Sequence, residues 1–140
     1  MSAFIPDTSV SMAWCFDDET NPYSEALLAR LEADEEALVP SLWPLEVANA
    51  LVKAKQRGRV TEIQITGFLE DLGGFAIRVD TRGIARALTE VRFLAEQYQL
   101  TSYDAAYLEL AMRTGVLLAT LDERLRQAAF AAGVPVVQQP

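Results

Sequence analysis

The chain contains no histidine. That absence removes Ser-His-Asp triads, Cys-His nucleophile pairs, histidine-based ribonuclease chemistry and histidine-ligated zinc or iron centres together. Cysteine is nearly missing too. Cys15 alone cannot close an internal disulfide, and its neighbours Met12, Ala13, Trp14 and Phe16 mark it as a core thiol rather than a nucleophile. No apolar run approaches the roughly 18 residues of a membrane span, and the N-terminus lacks the basic stretch of a secretory signal. The expectation is a cytoplasmic protein without a membrane partner. Positive charge is scarce: 12 Lys and Arg face 20 Asp and Glu, for a net charge of −8. Residues 1–52 carry ten acids against Arg30 alone, while residues 53–140 carry ten acids and eleven bases.

An acidic balance disfavours nucleic-acid binding, because neutralising phosphates usually takes a basic face. Such a chain could still hold a phosphodiester through a bound metal and a local basic cluster. Lys53, Lys55, Arg57 and Arg59 offer one; as a solvated helix end favoured by the C-terminal dipole they need no function. With histidine absent, hydrolysis falls to carboxylates and a hard metal.

What is present suffices for one domain spanning residues 1–140. Half of the residues are hydrophobic (51%), ample for a core and slightly rich for a small monomer, which hints at a second buried surface. The informative stretch is Thr101 to Leu125. Thr101 and Ser102 are N-cap types, Tyr107, Leu108 and Ala111 follow at helical spacing, and Gly115 can end the helix. Val116 to Ala119 is then a short buried strand, and Thr120 with Glu123 has the spacing of a capping box opening another helix. Asp104 and Asp122 thus each fall in a first helical turn, where the helix dipole alone could account for them. Asp104, however, shares its face with Tyr107, Leu108 and Ala111, and a carboxylate on an apolar face is costly unless a cation meets it. Glu109, four residues before Arg113, reads instead as an exposed pair.

From the beginning, Ala3 to Pro6 is a first strand ending at Asp7-Thr8-Ser9, with Pro6 awkward for a sheet interior. Short helices are expected over Val10 to Phe16 and from Asn21-Pro22, the latter burying Leu27, Leu28 and Leu31. Leu38 to Pro40 is a second strand and Ser41 to Arg57 a helix stopped by Gly58. Within it Glu46 sits among apolar neighbours, with Asn49 on the same face; an unseen arginine or a metal would satisfy that acid. Thr61 and Gln64 form a capping box, Phe75 to Val79 a third strand, and Ile84 to Tyr98 a long helix with Ala87, Leu88, Val91 and Leu94 inward. Pro135 to Val137 closes as a fifth strand.

Strands alternating with helices describe a mostly parallel sheet of about five strands covered on both faces. In such sheets ligands bind beyond the carboxyl ends of the strands. Asp7, Glu46, Asp104 and Asp122 can all open on that edge. Four carboxylates there would repel, raising at least one pKa or requiring a divalent cation; Mg²⁺ or Mn²⁺ suits hard oxygen donors.

The pieces Asp7-Thr8-Ser9, Pro44 to Leu51, Ser102 to Ala111 and Thr120-Leu121-Asp122, in this order and spacing, resemble the PIN-domain nucleases, and among them the VapC-type toxins of bacterial toxin–antitoxin pairs. Pro6, where the family usually has an aliphatic residue, departs from the pattern. The resemblance spans essentially the whole chain and implies a three-layer α/β sandwich and a Mg²⁺- or Mn²⁺-dependent endoribonuclease. Asp7, Glu46, Asp104 and Asp122 would form its acidic quartet, with Asp7, Asp104 and Asp122 holding metal. Ser9, Asn49 and Thr120 would be supporting polar groups, and Lys53, Arg57 and Arg59 the candidates for RNA contact. It further implies a homodimer, a cognate antitoxin, and cleavage by water that leaves 5′-phosphate and 3′-hydroxyl ends. Three other readings stay open: a PIN-like module that binds a partner or RNA without cutting, a housekeeping PIN nuclease, and a phosphoacceptor domain. The last fits Asp7 after a first strand but lacks a second Asp at Ser9 and a lysine after a late strand.

Overall fold

The computed structural model describes residues 2–138; Met1, Gln139 and Pro140, at the ends of the expected 1–140 unit, lie outside the described residues. The chain runs β1 (Ala3–Pro6), α1 (Thr8–Ala13), α2 (Pro22–Glu32), β2 (Glu36–Pro40), α3 (Trp43–Gln56), α4 (Glu62–Gly73), β3 (Ala76–Asp80), α5 (Arg92–Tyr98), α6 (Ser102–Thr114), β4 (Leu117–Ala119) and α7 (Glu123–Ala131). The four strands form one parallel sheet in the order β3-β2-β1-β4. Strand alternation supplies a core on each side of it. Phe4, Ala37 and Ala119 pack against Val10 and against Tyr23, Leu27 and Leu31 of α2. Ile5, Leu38 and Leu118 turn the other way, onto Trp43, Val47 and Leu51 of α3 and Tyr107, Leu108 and Ala111 of α6. Each such large apolar side chain contributes about 1.5–3 kcal/mol through its removal from water.

The expected fifth strand is corrected. Val136 makes one parallel bridge to Leu118, and no ladder grows from it. Leu118 donates to Pro135 O and Val137 donates to Leu118 O, but Pro135 has no N–H with which to extend the pairing. Pro6 is accommodated for a related reason. The ladder of β1 with β2 runs through Ala3↔Glu36 and Phe4↔Ala37 and stops before the proline. On the other side Pro6 faces Ala119, and the next N–H, that of Asp7, donates to Ala119 O at 3.0 Å.

The expected helix over Ile84 to Tyr98 is also corrected. Gly83–Arg86 is a 3₁₀ turn, Ala87–Val91 a π turn, and only Arg92–Tyr98 is α-helical. The wider π turn shifts the register. Val91 and Leu94 reach the core while Leu88, expected inward, is 81% exposed.

Glu109 is not an exposed partner of Arg113. It is 4% exposed and accepts from Arg113 Nε at 2.8 Å, with Arg86 Nε 3.0 Å away. Arg113 also meets Asp80 at the end of β3, Nη2 to Oδ2 at 2.7 Å. The network ties β3, the 3₁₀ turn and α6 together. Gly83 leaves room for it: a Cβ there would stand 3.0 Å from Asp80 Oδ2 and 3.2 Å from Arg113 Nη2. The capping box at Thr61 forms as expected, with Thr61 N donating to Gln64 Oε1 and Gln64 N donating to Thr61 Oγ1. Gly115 ends α6 at φ 73°. Among the described residues no helix is long and apolar enough to cross a membrane.

Candidate active site

The strand order fixes where a crevice opens. From β1 the sheet grows through β2 to β3 on one side, and β4 then adds on the other side of β1. The loops leaving β1 and β4 therefore diverge at their carboxyl ends, which is where open α/β sheets bind ligands. Asp7 directly follows β1 and Thr120 directly follows β4. Helices α3 and α6 both pack beside these strands and begin at the same edge, because a helix joining parallel strands runs back against them.

Asp7 is 4% exposed. Its Oδ1 accepts Val10 N at 3.2 Å, capping α1, and also the Ser9 hydroxyl; its Oδ2 accepts the Thr120 hydroxyl. Burial pushes the Asp7 carboxyl up to about 6 from its ordinary 3.8, against the pull of the Ser9, Thr120 and Val10 donors, and the charge of Asp104 adds to the rise. Each hydroxyl also accepts: Ser9 Oγ takes Leu121 N at 3.0 Å, and Thr120 Oγ1 takes Asp122 N at 2.9 Å. Asp7 is thus the centre of a web joining the loop after β1 to the loop after β4. This corrects the capping box expected between Thr120 and Glu123. The hydroxyl of the fully buried Thr120 is committed to Asp7, and Asp122 itself caps α7, its Oδ1 accepting Leu125 N at 3.0 Å.

Glu46 lies in the first turn of α3. Among the described residues no arginine forms a salt bridge to it. Instead Oε1 accepts Thr8 Oγ1 at 2.8 Å and the buried Tyr107 hydroxyl at 2.6 Å. Burial raises the Tyr107 hydroxyl far above its ordinary pKa, and the charge of Glu46 raises it further. Asp104, in the first turn of α6, is half-buried. Its carboxyl is pushed up first by burial and then by the charges of Asp122 and Glu46, against smaller downward pulls from Thr101 and Arg124. Asp7 feels Asp104, and Asp104 feels Asp122 and Glu46, so the fold brings the four acids into one electrostatic neighbourhood. Among the described residues none of the four has a lysine or arginine within salt-bridge distance.

Other expected site residues fare differently. Ser9 and Thr120 bond Asp7 directly. Asn49 is exposed on α3, and none of the hydrogen bonds among the described residues joins its side chain to the acids. Lys53 and Arg57 are exposed near the far end of α3, about 10–16 Å along the axis from Glu46. Arg59 is already engaged: it pairs with Asp18 and Glu19 at 3.0 Å each and lies over the Phe16 ring. The expected basic cluster is therefore not at the acids. Thr8 and Arg124 had not been singled out from sequence, and Tyr107 had been read as core alone. A signal for Tyr107 existed, since a tyrosine buried on an apolar helix face still needs a partner for its hydroxyl.

No three carboxylates among the described residues stand together as a ready-made metal cage. The donors are nevertheless all hard oxygens under mutual repulsion, and Glu46 Oε2 has no protein donor among the described hydrogen bonds. Such a set fits a small divalent cation that takes one or two carboxylates and keeps several waters.

Sheet order, the acids at its carboxyl edge and their spacing along the chain define a class, and residues 4–131 match the PIN domain. The chain belongs to the PIN-domain family, in its VapC branch. It is 31% identical over 123 residues to ribonuclease VapC3 of Pyrobaculum aerophilum, covering 88% of this chain and 92% of that one. It is 32% identical over 109 residues to ribonuclease VapC3 of Mycobacterium tuberculosis strain H37Rv, covering 78% and 76%. Among solved structures, PAE2754 from Pyrobaculum aerophilum superposes with a TM-score of 0.68 at 26% identity, over 91% of this chain and 79% of that one. VapBC2 from Rickettsia felis, bound to a DNA fragment from its promoter, matches in fold with a TM-score of 0.66 at 14% identity, over 97% of each chain.

Proposed function

We propose that this protein is a VapC-type toxin, an endoribonuclease that hydrolyses RNA phosphodiester bonds with Mg²⁺ or Mn²⁺ at a site built from Asp7, Glu46, Asp104 and Asp122. One observation carries the reading: Asp104 repels Asp7, Glu46 and Asp122, acids from three other segments at the carboxyl edge of the sheet, and among the described residues no lysine or arginine forms a salt bridge to any of the four. A bound divalent ion would orient and acidify an attacking water and offset charge building on the phosphoryl oxygens. Asp7, Asp104 and Asp122 would hold it, in part through water. Ser9 and Thr120 keep both oxygens of Asp7 in hydrogen bonds, which favours its charged form and fixes its direction. Asp104 adds negative charge beside it, so the pocket attracts a cation more strongly than either acid alone. Arg124, close enough to Asp104 to lower its pKa, is better placed than Arg59 to meet a substrate phosphate.

The test is incubation of the pure protein with a panel of tRNAs and structured RNAs, with Mg²⁺ or with EDTA. Cleavage with Mg²⁺, leaving 5′-phosphate ends, and its loss in EDTA and in Asp104→Asn are expected. Equal cleavage in EDTA or full activity of Asp104→Asn would remove the proposal. The same reading brings a homodimer and an antitoxin partner, the latter in line with the VapBC complex that shares this fold. Ile84, Leu88, Phe93 and Met112 are among the exposed large apolar side chains, at 67%, 81%, 62% and 49%, that a second copy would remove from water. Light scattering of the isolated chain measures dimerisation directly.

A further inference from the structure

Glu46 is held by hydroxyls alone. Thr8 Oγ1 and Tyr107 OH both donate to the same oxygen, Oε1, at 2.8 and 2.6 Å, and lie 3.0 Å from each other. Each hydroxyl has one proton to give. With both directed to Oε1, that oxygen is fixed by two donors from different elements, one in α1 and one in α6. Three helices therefore meet at one carboxylate oxygen, and Oε2 remains without a protein donor among the described hydrogen bonds. Tyr107 is 1% exposed and its ring is packed in the core, so its hydroxyl is a rigid point rather than a swinging group. Thr8 is partly exposed at the start of α1, next to Asp7.

We propose that Tyr107, with Thr8, is a positioning residue: the two hydroxyls anchor Oε1 of Glu46 so that Oε2 is the oxygen presented to a divalent cation or its water. The inference rests on the nuclease reading for its consequence in cleavage but not for its consequence in metal binding. Nothing in the core requires a hydroxyl at position 107. A phenylalanine would fill the same volume, and the tyrosine's oxygen would be an unmet cost if it did not find Glu46. Partners that orient a metal-binding group typically change affinity or rate by about 10–100-fold when removed.

The experiment titrates Mn²⁺ by calorimetry into the native chain, Tyr107→Phe, Thr8→Val, Thr8→Ser and Glu46→Gln, and follows single-turnover RNA cleavage by the same proteins. Tyr107→Phe and Thr8→Val are each expected to weaken Mn²⁺ binding about 10-fold and to slow cleavage at saturating RNA by a similar factor, with KM for RNA nearly unchanged. Their double variant should lose less than the product of the two, because both act on one oxygen. Thr8→Ser should recover most of what Thr8→Val loses, which a packing role for the threonine methyl would not produce. If Tyr107→Phe binds Mn²⁺ and cuts like the native chain while Glu46→Gln does neither, the positioning role is overturned and the nuclease reading stands. If Glu46→Gln binds and cuts normally, the positioning role falls with the role given to Glu46. A native chain that binds Mn²⁺ but cuts no RNA removes the nuclease reading and leaves the positioning role to be decided by the affinities. Should Tyr107→Phe fail to fold, the Thr8→Val and Thr8→Ser pair decides it.

Discussion

Replacing Asp7 with asparagine should abolish a loss of stability that the metal-free protein suffers as pH rises to neutral, while destroying its cleavage, and the size of the effect follows from the burial of one carboxylate. Asp7 rises from 3.8 to about 6 on folding, and two units or so of pKa correspond to about 3 kcal/mol. The direction is unfavourable for the charged form. Below about pH 3 the acid is protonated in both states and costs nothing; as pH rises through the interval from 3.8 to 6 the unfolded chain ionises first, and stability drains away. Above about pH 7 the loss is complete and constant. Asparagine does not titrate. The native chain should therefore lose about 3 kcal/mol relative to Asp7→Asn between pH 3 and pH 7, whatever offset the amide brings by rebonding Ser9 and Thr120. Urea unfolding of both proteins in EDTA at several pH values measures this difference, in which acids unaffected by Asp7 cancel. In a protein of this length the same quantity moves the melting midpoint by about 10 °C. Added Mn²⁺ should close the gap by stabilising only the native acid. A difference that stays flat with pH, or widens as the solution is made more acidic, would refute the account of Asp7 as a charge held against burial.

Other consequences are more local. Glu109→Gln should cost about 3 kcal/mol in urea unfolding, since Arg113 and Arg86 would be left beside a neutral amide; partial exposure of both arginines keeps the cost at the low end for a broken buried pair. Asp80, whose carboxyl is held below its ordinary range by Arg113, gives stability that is complete above about pH 4 and is lost as pH falls through its lowered folded value. Arg113→Ala should accordingly flatten the acid limb of the stability curve. Thr61→Ala, which removes a capping box far from the acids, should cost about 1 kcal/mol in thermal unfolding and leave metal-dependent cleavage untouched.

Much of this was readable in the residues because the relevant signals are local. The order of strands and helices followed from apolar runs broken by Gly58, Gly73-Gly74 and Gly115. The Thr61 capping box needed only its own four residues. Asp7 at the end of β1 followed from the change of pattern after Pro6. What failed depended on geometry beyond a few positions. A π turn at Ala87–Val91 leaves no mark on helical spacing, so Leu88 was assigned to the core and is at the surface. Pro135 allowed a bridge where a strand was expected. Thr120 and Glu123 had the spacing of a cap, but Thr120 Oγ1 is drawn to the buried carboxylate 113 positions earlier and accepts from Asp122 N, so the helix begins two residues later with Asp122 as its cap. Glu109 looked exposed because Arg113 follows it by one turn; that both turn inward depends on Asp80 and Arg86, distant in sequence.

Glu109 and Asp104 lie five positions apart on the same helix, and the contrast between them shows how a folded chain separates structural acids from working ones. Both would be costly on an apolar face if left alone. Glu109 is met by two arginines, one shared with Asp80 and the other with Glu90, so its charge is opposed by cations of the chain itself. Asp104 instead faces Asp122 and Glu46, and the partners supplied to the neighbouring Asp7 and Glu46 are hydroxyls, which orient a carboxylate without cancelling it. A salt bridge would have been the simpler way to stabilise those positions, and the chain uses one a turn and a half away. An acid cluster fixed in direction but left negative is stable only in proportion to what it can bind, so adding a divalent cation should raise the melting midpoint of the native protein far more than that of Asp7→Asn or Asp104→Asn, while Glu109→Gln should keep the full metal-induced increment on its lowered baseline.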